Sequence, residues 1–426
     1  MKHIRNIIYS FIIALLSLSA CDNQNRDNVH KLVNSNHLKQ LYAEGTLENG
    51  KEVGVINIYS EYPDYTYAIE PNEGFSCVDD VARALVFLSS YSKNCDDPEV
   101  EIMIDNLTRF ILSMQAKNGY FYNFLWGDMS INKTYKTSVA EPNWWSWRAL
   151  WALSEIYPKL SEGLAERTRS ATEQIIETVI NEYLELPKDT ILLEGMTLPN
   201  WFPSGTAYDQ SAILMIGMES YYKNIQKDTA LIKLIEKFAE GLLLTQKGDR
   251  NNFPYGAYLS WNNLWHAYGN MQAYAMLRSG KLLGRDDFIQ SALNEINYFY
   301  PYLLNAGFLH HMYIIKKEDQ ICETEKNMYP QIAYGIRPMV YACLEAYDIT
   351  EKQKYIDMAQ QLTSWLAGNN PAGQQMYDPE TGRCFDGIGS EKEVNKNSGA
   401  ESTIEALLIL QAINNHPVAD INSIYE

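Results

Sequence analysis

Cysteine is scarce in this chain, and its placement builds no framework. Of six cysteines, Cys21 falls in the N-terminal apolar segment, leaving an odd five at irregular spacing with no C-x-x-C pair. That argues against a disulfide scaffold or a zinc site, while one bridge stays open in an oxidising compartment. Basic residues are short as well: 35 Lys and Arg face 53 Asp and Glu, a net charge of −18. Phosphate backbones and anionic headgroups need the opposite sign, so the balance argues against nucleic acid and against docking on anionic lipid. No apolar run after residue 21 is long enough to span a bilayer. No Pro/Gly/Ser-rich linker divides the rest, which favours one large domain over residues 29–426. Strand-like runs are few, the clearest being 53–59.

What is present begins with a leader. Lys2 and Arg5 precede a short apolar stretch over 7–18, followed by LSAC at 18–21. This resembles the lipobox of bacterial lipoproteins, which implies lipidation of Cys21, a polar tether over 22–28 and a lipid-anchored place in the cell envelope. An ordinary signal peptide cut near Ala20 is the alternative.

Helical periodicity then marks 29–43, 77–93, 100–116, 144–157, 162–186, 206–224, 228–245, 261–281, 285–302, 331–348, 352–367 and 400–414. From residue 77 these pair as helical hairpins with short internal connections, and the first and last segments can close a ring as a sixth pair. The repeat is longer and less uniform than in an open α-solenoid. The expected architecture is all-α, an (α/α)6 toroid.

The loops before the leading helices are long and unusual: EGFSC (73–77), SVAEPNWW (138–145), WFPSGT (201–206), FPYGAYLSW (253–261), YPQIAYG (329–335) and NKNSG (395–399). Leading helices that run in one direction gather these loops at a single mouth, the default position for a site. Thirty Tyr and nine Trp exceed what a core requires. Their rings pair an apolar face with a polar handle, as sugar rings do. Trp144 and Trp261 are read as sugar-stacking residues, with Trp201 and Tyr255 as further substrate contacts, whereas Trp147 and Trp151, at i,i+4, read as core.

Three further motifs carry a resemblance. CVDDVARAL (77–85), YDPETGRCFDG (377–387) and NKNSGAEST (395–403), with WLAGNNP (365–371) between the first and the second, span most of the chain. They resemble the CTDDNARAL, YDxxTGGCxDG and NxNxGAEST motifs of hydrolase-like domains attached to some bacterial glycosyltransferases, within the six-hairpin glycosidase-like proteins. The resemblance implies an (α/α)6 fold with its active site at the N-termini of the inner helices, and carbohydrate chemistry without a particular substrate. Val81 replaces the Asn of the motif, and no transferase domain accompanies it, which points to a stand-alone exported enzyme.

Glycoside hydrolysis needs two carboxyl groups, and the mouth offers Asp79, Asp80, Glu141, Asp209, Asp386 and Glu401. Ser76-x-x-Asp79, Thr206-x-x-Asp209 and Ser398-x-x-Glu401 also have capping-box spacing, in which the acid merely reaches back to the cap. Asp386, flanked by glycine, could be a turn residue. Asp80 lies about 100° round the helix from Asp79, and two crowded carboxylates push one pKa upward; Arg83, at i+3, could pair with it structurally. The working assignment makes Asp80 or Asp79 the base and Glu401 the acid, keeps Asp386 and Asp209 in reserve, and gives Arg83 and Asn397 substrate contacts. His310 and His311 are adjacent and expected to point apart, which argues against a shared metal. No cofactor is expected, with calcium in the oxygen-rich loops left open.

Three functions compete on this reading. The first is an exported glycoside hydrolase. The second is a polysaccharide lyase or sugar epimerase, for which Arg148, Arg337, Tyr255, Tyr334 or a histidine would supply the chemistry. The third is a glycan-binding lipoprotein without catalysis.

Overall fold

The computed structural model describes residues 32–93, 95 and 97–425. The leader, Cys21 and the tether lie outside the described residues. So does the start of the segment read as a helix over 29–43. What is described of that segment is a short helix, α1 (Asn36–Leu41), that gives way to an antiparallel hairpin of β1 (Tyr42–Thr46) and β2 (Glu52–Ile56), with Tyr42 opposite Ile56. The hairpin takes the residues that would have extended the helix.

The helical hairpins follow in order. They are α2 (Val78–Tyr91) with α3 (Pro98–Ser113), α4 (Trp144–Ile156) with α5 (Glu162–Tyr183), and α6 (Tyr208–Asn224) with α7 (Thr229–Thr245). Next come α8 (Gln272–Leu283) with α9 (Asp286–Asn294) and α10 (Tyr300–Asn305), then α11 (Arg337–Thr350) with α12 (Lys354–Thr363), and finally α13 (Ala400–Asn415). The leading helices pack in a closed cycle: α2 on α4, α4 on α6, α6 on α8, α8 on α11, α11 on α13, and α13 back on α2. This is the (α/α)6 toroid. In place of a twelfth long helix, α1 packs on α13 and β2 covers α3.

Position in the ring explains the two kinds of helix. An inner helix has neighbours on every side, so Tyr208 to Tyr221 of α6 are all buried. Gly217 lets α6 approach α4, since a Cβ there would come within 3.2 Å of the Trp151 backbone nitrogen. An outer helix buries one stripe, as α3 does with Val100, Met103, Ile104, Leu107, Phe110 and Ile111, the i, i+3, i+4 spacing of an amphipathic helix. Each such aliphatic side chain contributes about 1.5–3 kcal/mol on full burial.

Two helical segments differ from expectation. Residues 285–302 form α9, a π-helical turn (Glu295–Phe299) and α10; Pro301 lacks an N–H and its ring crowds the carbonyl four residues back, which a wider turn accommodates. Residues 261–271 are not helical. Leu264–His266 form β3, paired with β4 (His311–Lys317), which pairs in turn with β5 (Gln320–Asn327). The five cysteines after Cys21 are unbridged. Among the described residues, no helix is long and apolar enough to cross a membrane.

Candidate active site

The inner-helix N-termini converge, and the proof is a set of contacts between residues far apart in sequence. None of the three expected capping boxes forms. Ser76 is buried in a short strand and its Oγ accepts from the backbone N–H of Ile56 (3.1 Å), while Cys77 and Gly399 stand at the caps of α2 and α13 without side-chain capping bonds. Thr206 donates to Asn262 Oδ1 (2.8 Å), and Ser398 Oγ accepts from the Cys384 N–H (3.2 Å). The three acids are thereby released from capping and turn to partners across the ring.

Arg83 is the hub. Its Nη1 donates to Asp80 Oδ1 and its Nη2 to Glu401 Oε2, both at 2.7 Å, and its Nε lies 3.0 Å from Glu405 Oε1. Arg148 donates from Nη1 to Asp79 Oδ1 and from Nη2 to the Tyr334 hydroxyl, both at 2.6 Å. Arg83, expected as a substrate contact, is thus engaged by carboxylates and largely buried, though it still lines the cavity described next. Asp80 is only 4% exposed at its side chain, and its second oxygen accepts from the Cys77 thiol at 3.2 Å. Asp79 is 20% exposed and Glu401 43%.

These carboxyls line a cavity of about 300 Å³ with Tyr59, Glu73, Tyr334 and Asp386. Asp386 does more than close a turn: its Oδ1 accepts from the Gly399 N–H (2.8 Å) and the Ser402 hydroxyl (2.7 Å), capping α13 from a separate loop. Burial raises the Asp80 carboxyl above the usual range, with Arg83 opposing and Asp79 adding to the rise. Glu401 opens into the cavity and has Arg83, Asp80, Glu405 and Arg148 as its charged neighbours. Desolvation raises it too, again against Arg83 and with Asp80 and Glu405 reinforcing. Asp386 is raised by desolvation, against its two hydrogen bonds.

A second cluster stands at the N-terminus of α6. Asp209 is buried, with Oδ2 2.7 Å from His266 Nε2 and Oδ1 accepting from the Gln210 N–H at 2.6 Å. His266 stacks on Tyr268, ring centroids 4.3 Å apart, and Tyr268 faces Tyr334 at 6.4 Å, joining this cluster to the first. His310 and His311, expected to diverge, turn their Nδ1 atoms toward each other at 2.7 Å. Among the described residues, no group of three or more His, Cys, Asp or Glu side chains is arranged to hold a metal ion.

The aromatic residues divide. Trp144 lies over Gly269, whose missing Cβ would fall 2.5 Å from its ring, and over the Arg148 guanidinium at 5.0 Å. Trp261 is 41% exposed and bridges Ala207, one residue before α6. Trp201, expected at the mouth, is instead 2% exposed and stacked on Phe202. Tyr255 packs against Phe253 and Tyr302, which ties it to the outer segment of α10 and not to the carboxylates. Asn397 is a brace: its Oδ1 accepts from the Tyr62 N–H (2.9 Å) and its carbonyl from the Asp386 N–H (2.8 Å). Trp147 and Trp151 are core, as their spacing indicated.

Glu405, Arg337, Tyr334, Arg148, His266 and Tyr268 carry much of this geometry, yet the sequence reading gave them minor parts or none. A usable signal was there for two: Glu405 and Arg337 are lone charges inside otherwise apolar helical runs.

Solved structures share this fold. A sugar epimerase from a ruminal bacterium superposes with TM-score 0.65 at 11% identity, over 93% of this chain and 100% of that one. The cellobiose 2-epimerase of Spirochaeta thermophila gives 0.63 at 12%, over 95% and 98%. A family 76 glycoside hydrolase (mannosidase) of Bacteroides thetaiotaomicron gives 0.54 at 14%, over 91% and 96%. No protein-family model and no curated protein sequence matches the chain.

Proposed function

We propose that this protein is a carbohydrate-active enzyme that hydrolyses a glycosidic bond, with Glu401 as general acid and Asp79 as the second carboxylate. The observation that carries the reading is the posture of Glu401. One oxygen is fixed by Arg83, while the side chain opens into a cavity it shares with Asp79. A raised carboxyl holds its proton toward neutral pH and can deliver it to the leaving glycosidic oxygen. Asp79, held through one oxygen by Arg148, is the more accessible of the adjacent pair and either attacks the anomeric carbon or activates water. Asp80, closed off by Arg83 and Cys77, positions its neighbours. The fold shared with a family 76 glycoside hydrolase is consistent with this chemistry.

The site favours a neutral sugar. Arg83, the only basic residue lining the cavity among the described residues, is already matched by carboxylates, so no cation is left for a uronate. This weighs against a lyase acting on uronic acids. Trp144, beside Arg148, and Trp261, exposed beside Ala207, are the aromatic faces this reading assigns to sugar stacking.

Epimerisation is the second reading, favoured by one pair: His266, buried against Asp209, with its Nδ1 unpartnered, and joined through Tyr268 to Tyr334 of the cavity. An imidazole so placed could move a proton beside a carbonyl. The sugar and cellobiose epimerases share the fold.

The test is a panel of neutral oligo- and polysaccharides given to residues 22–426 and to Glu401→Gln. New reducing ends from the wild type, lost in the variant, support hydrolysis. Deuterium taken up from heavy water at the carbon beside the reducing carbonyl, without new reducing ends, would instead establish epimerisation. Binding without turnover would establish a glycan-binding protein. We propose further that the chain is exported and lipid-anchored through Cys21. Labelled palmitate should enter the wild type and not Cys21→Ala, and equal labelling of both would remove the anchor.

A further inference from the structure

Glu405 lies one turn beyond Glu401 on α13 and is completely buried. Its carboxylate accepts from Arg337 through Nε and, at 3.2 Å, through Nη2, and it faces Arg83 Nε at 3.0 Å. Arg83 holds Asp80 and Glu401 with its other two nitrogens, and Arg148 holds Asp79. Tyr334 lies among all three guanidiniums, whose carbons stand 4.9, 5.2 and 5.2 Å from its ring centroid. The result is one connected cluster, buried across the top of the ring.

Counting charges in that cluster is informative. Three guanidiniums (Arg83, Arg148, Arg337) meet four carboxyls (Asp79, Asp80, Glu401, Glu405). Guanidinium does not deprotonate in proteins. With every carboxyl ionised, the cluster would hold one unmatched negative charge at a largely buried site, and a single bound proton removes it. Three of the four carboxyls are more fully engaged or enclosed than the fourth. Glu405 accepts on both oxygens, Asp80 is enclosed by Arg83 and Cys77, and Asp79 has Arg148 to itself. Glu401 shares Arg83 with two rivals and is the most open to the cavity.

We propose that Glu405 is a positioning residue whose buried charge is the surplus that makes Glu401 the proton carrier of the site. It never meets substrate, and acts through Arg83 by competing with Glu401 for the same guanidinium. The ionisable groups facing the pair are Asp79, Asp80 and Arg83 from α2, Arg148 from α4, Tyr334, Arg337 and Tyr341 from α11, and Tyr268 from the loop before α8. The only cations among these are the three already counted. Asp386, beyond Ser402, and Glu73, which accepts from the Tyr59 hydroxyl at 2.8 Å, add further negative charges at the cavity edge.

This assignment rests on Glu401 being the acid, but its test needs no substrate. Glutamate is labelled with ¹³C at the side-chain carboxyl, the Glu401 signal is assigned by its loss in Glu401→Gln, and its pH titration is followed in the full exported chain. Glu405→Gln leaves three carboxyls on three guanidiniums, so Glu401 should titrate lower by about one pH unit, about a tenfold drop in its protonated fraction at a given pH. Arg337→Met removes a cation and should move it up. The double variant Glu405→Gln/Arg337→Met restores one surplus carboxylate, and Glu401 should return to within about half a unit of wild type.

The double variant leaves no newly unpaired ion at that position, so it is available even where a single variant does not fold. Asp80→Asn supplies a second route to three against three and should also lower Glu401. A purely structural Glu405 would leave Glu401 unmoved in Glu405→Gln, or unrestored in the double variant, and either result overturns the proposal. Failure to cleave any glycan, with the titrations ordered as above, would sink the hydrolase reading and leave the charge device standing.

Discussion

His266 Nε2 lies 2.7 Å from Asp209 Oδ2, both side chains buried, and the Tyr268 ring stands between His266 and Tyr334 of the Arg83 cluster. The pair separates the two chemistries open to this mouth. With Glu401 as acid, Asp209 only orients His266 and its hydrogen bonds to the wall. Asp209→Asn is then expected to lower hydrolysis by less than about tenfold, against a loss of about a hundredfold or more for Glu401→Gln. Initial rates on the first glycan cleaved would decide. The reverse order would move the proton-transfer chemistry to the Asp209–His266 pair.

Trp144 and Trp201 look alike in the sequence, both in aromatic loops before inner helices, and the ring gives them opposite fates. Trp201 is stacked on Phe202, under Gly241 of α7, whose Cβ would meet the Phe202 ring at 2.4 Å. Trp201→Ala should therefore cost about 3–5 kcal/mol in unfolding free energy and leave KM unchanged in the folded fraction. Trp144→Ala should do the opposite, raising KM several-fold with a smaller loss of stability. Denaturant titration and steady-state kinetics on the same two variants test both halves.

The architecture was legible because helical periodicity is a local property. Nine of the twelve helical segments are legible from spacing alone, since an inner helix is buried all round and an outer one carries a stripe. Residues 261–266 show where periodicity fails. Leu264, Trp265 and His266 are apolar enough for a helix, yet they form a strand because β4, nearly 50 residues on, offers it an edge. The same limit applies to the site. Asp79, Glu401 and Asp209 could be named as candidates, but their capping-box spacing could not show that all three turn away from their caps. That depends on Arg148, Arg83 and His266, and Arg83 lies 318 positions from Glu401. No local pattern encodes a distance across a ring.

Gly269 gives a sharper test of the mouth's shape. At φ 75° it occupies the left-handed region, and a Cβ there would fall 2.5 Å from the Trp144 ring and 3.0 Å from the Tyr334 hydroxyl. Gly269→Ala therefore strains the backbone and pushes on both residues. We expect a loss of about 1–3 kcal/mol together with a several-fold weakening of sugar binding. Stability loss without any change in binding would show that Trp144 takes no part in the site.

Glu295 predicts a pH dependence that belongs to the fold alone. It opens the π-helical turn and is completely buried. The Tyr258 N–H donates to its Oε1 at 2.9 Å, while Oε2 has no partner. Burial pushes its carboxyl from 4.5 up to about 8, against that single hydrogen bond. The folded state thus keeps a proton that the unfolded chain releases near 4.5. Between those values the native state binds more protons than the unfolded state, so stability falls as pH rises from about 4.5 to about 8, and the slope from this group vanishes above that range. Glu295→Gln cannot ionise and keeps an acceptor for the Tyr258 N–H. Its denaturant midpoint relative to wild type should therefore improve steadily from pH 5 to pH 8. Parallel midpoints for the two proteins across that range would mean that Glu295 is already charged in the folded core, held by a partner that Oε2 does not show.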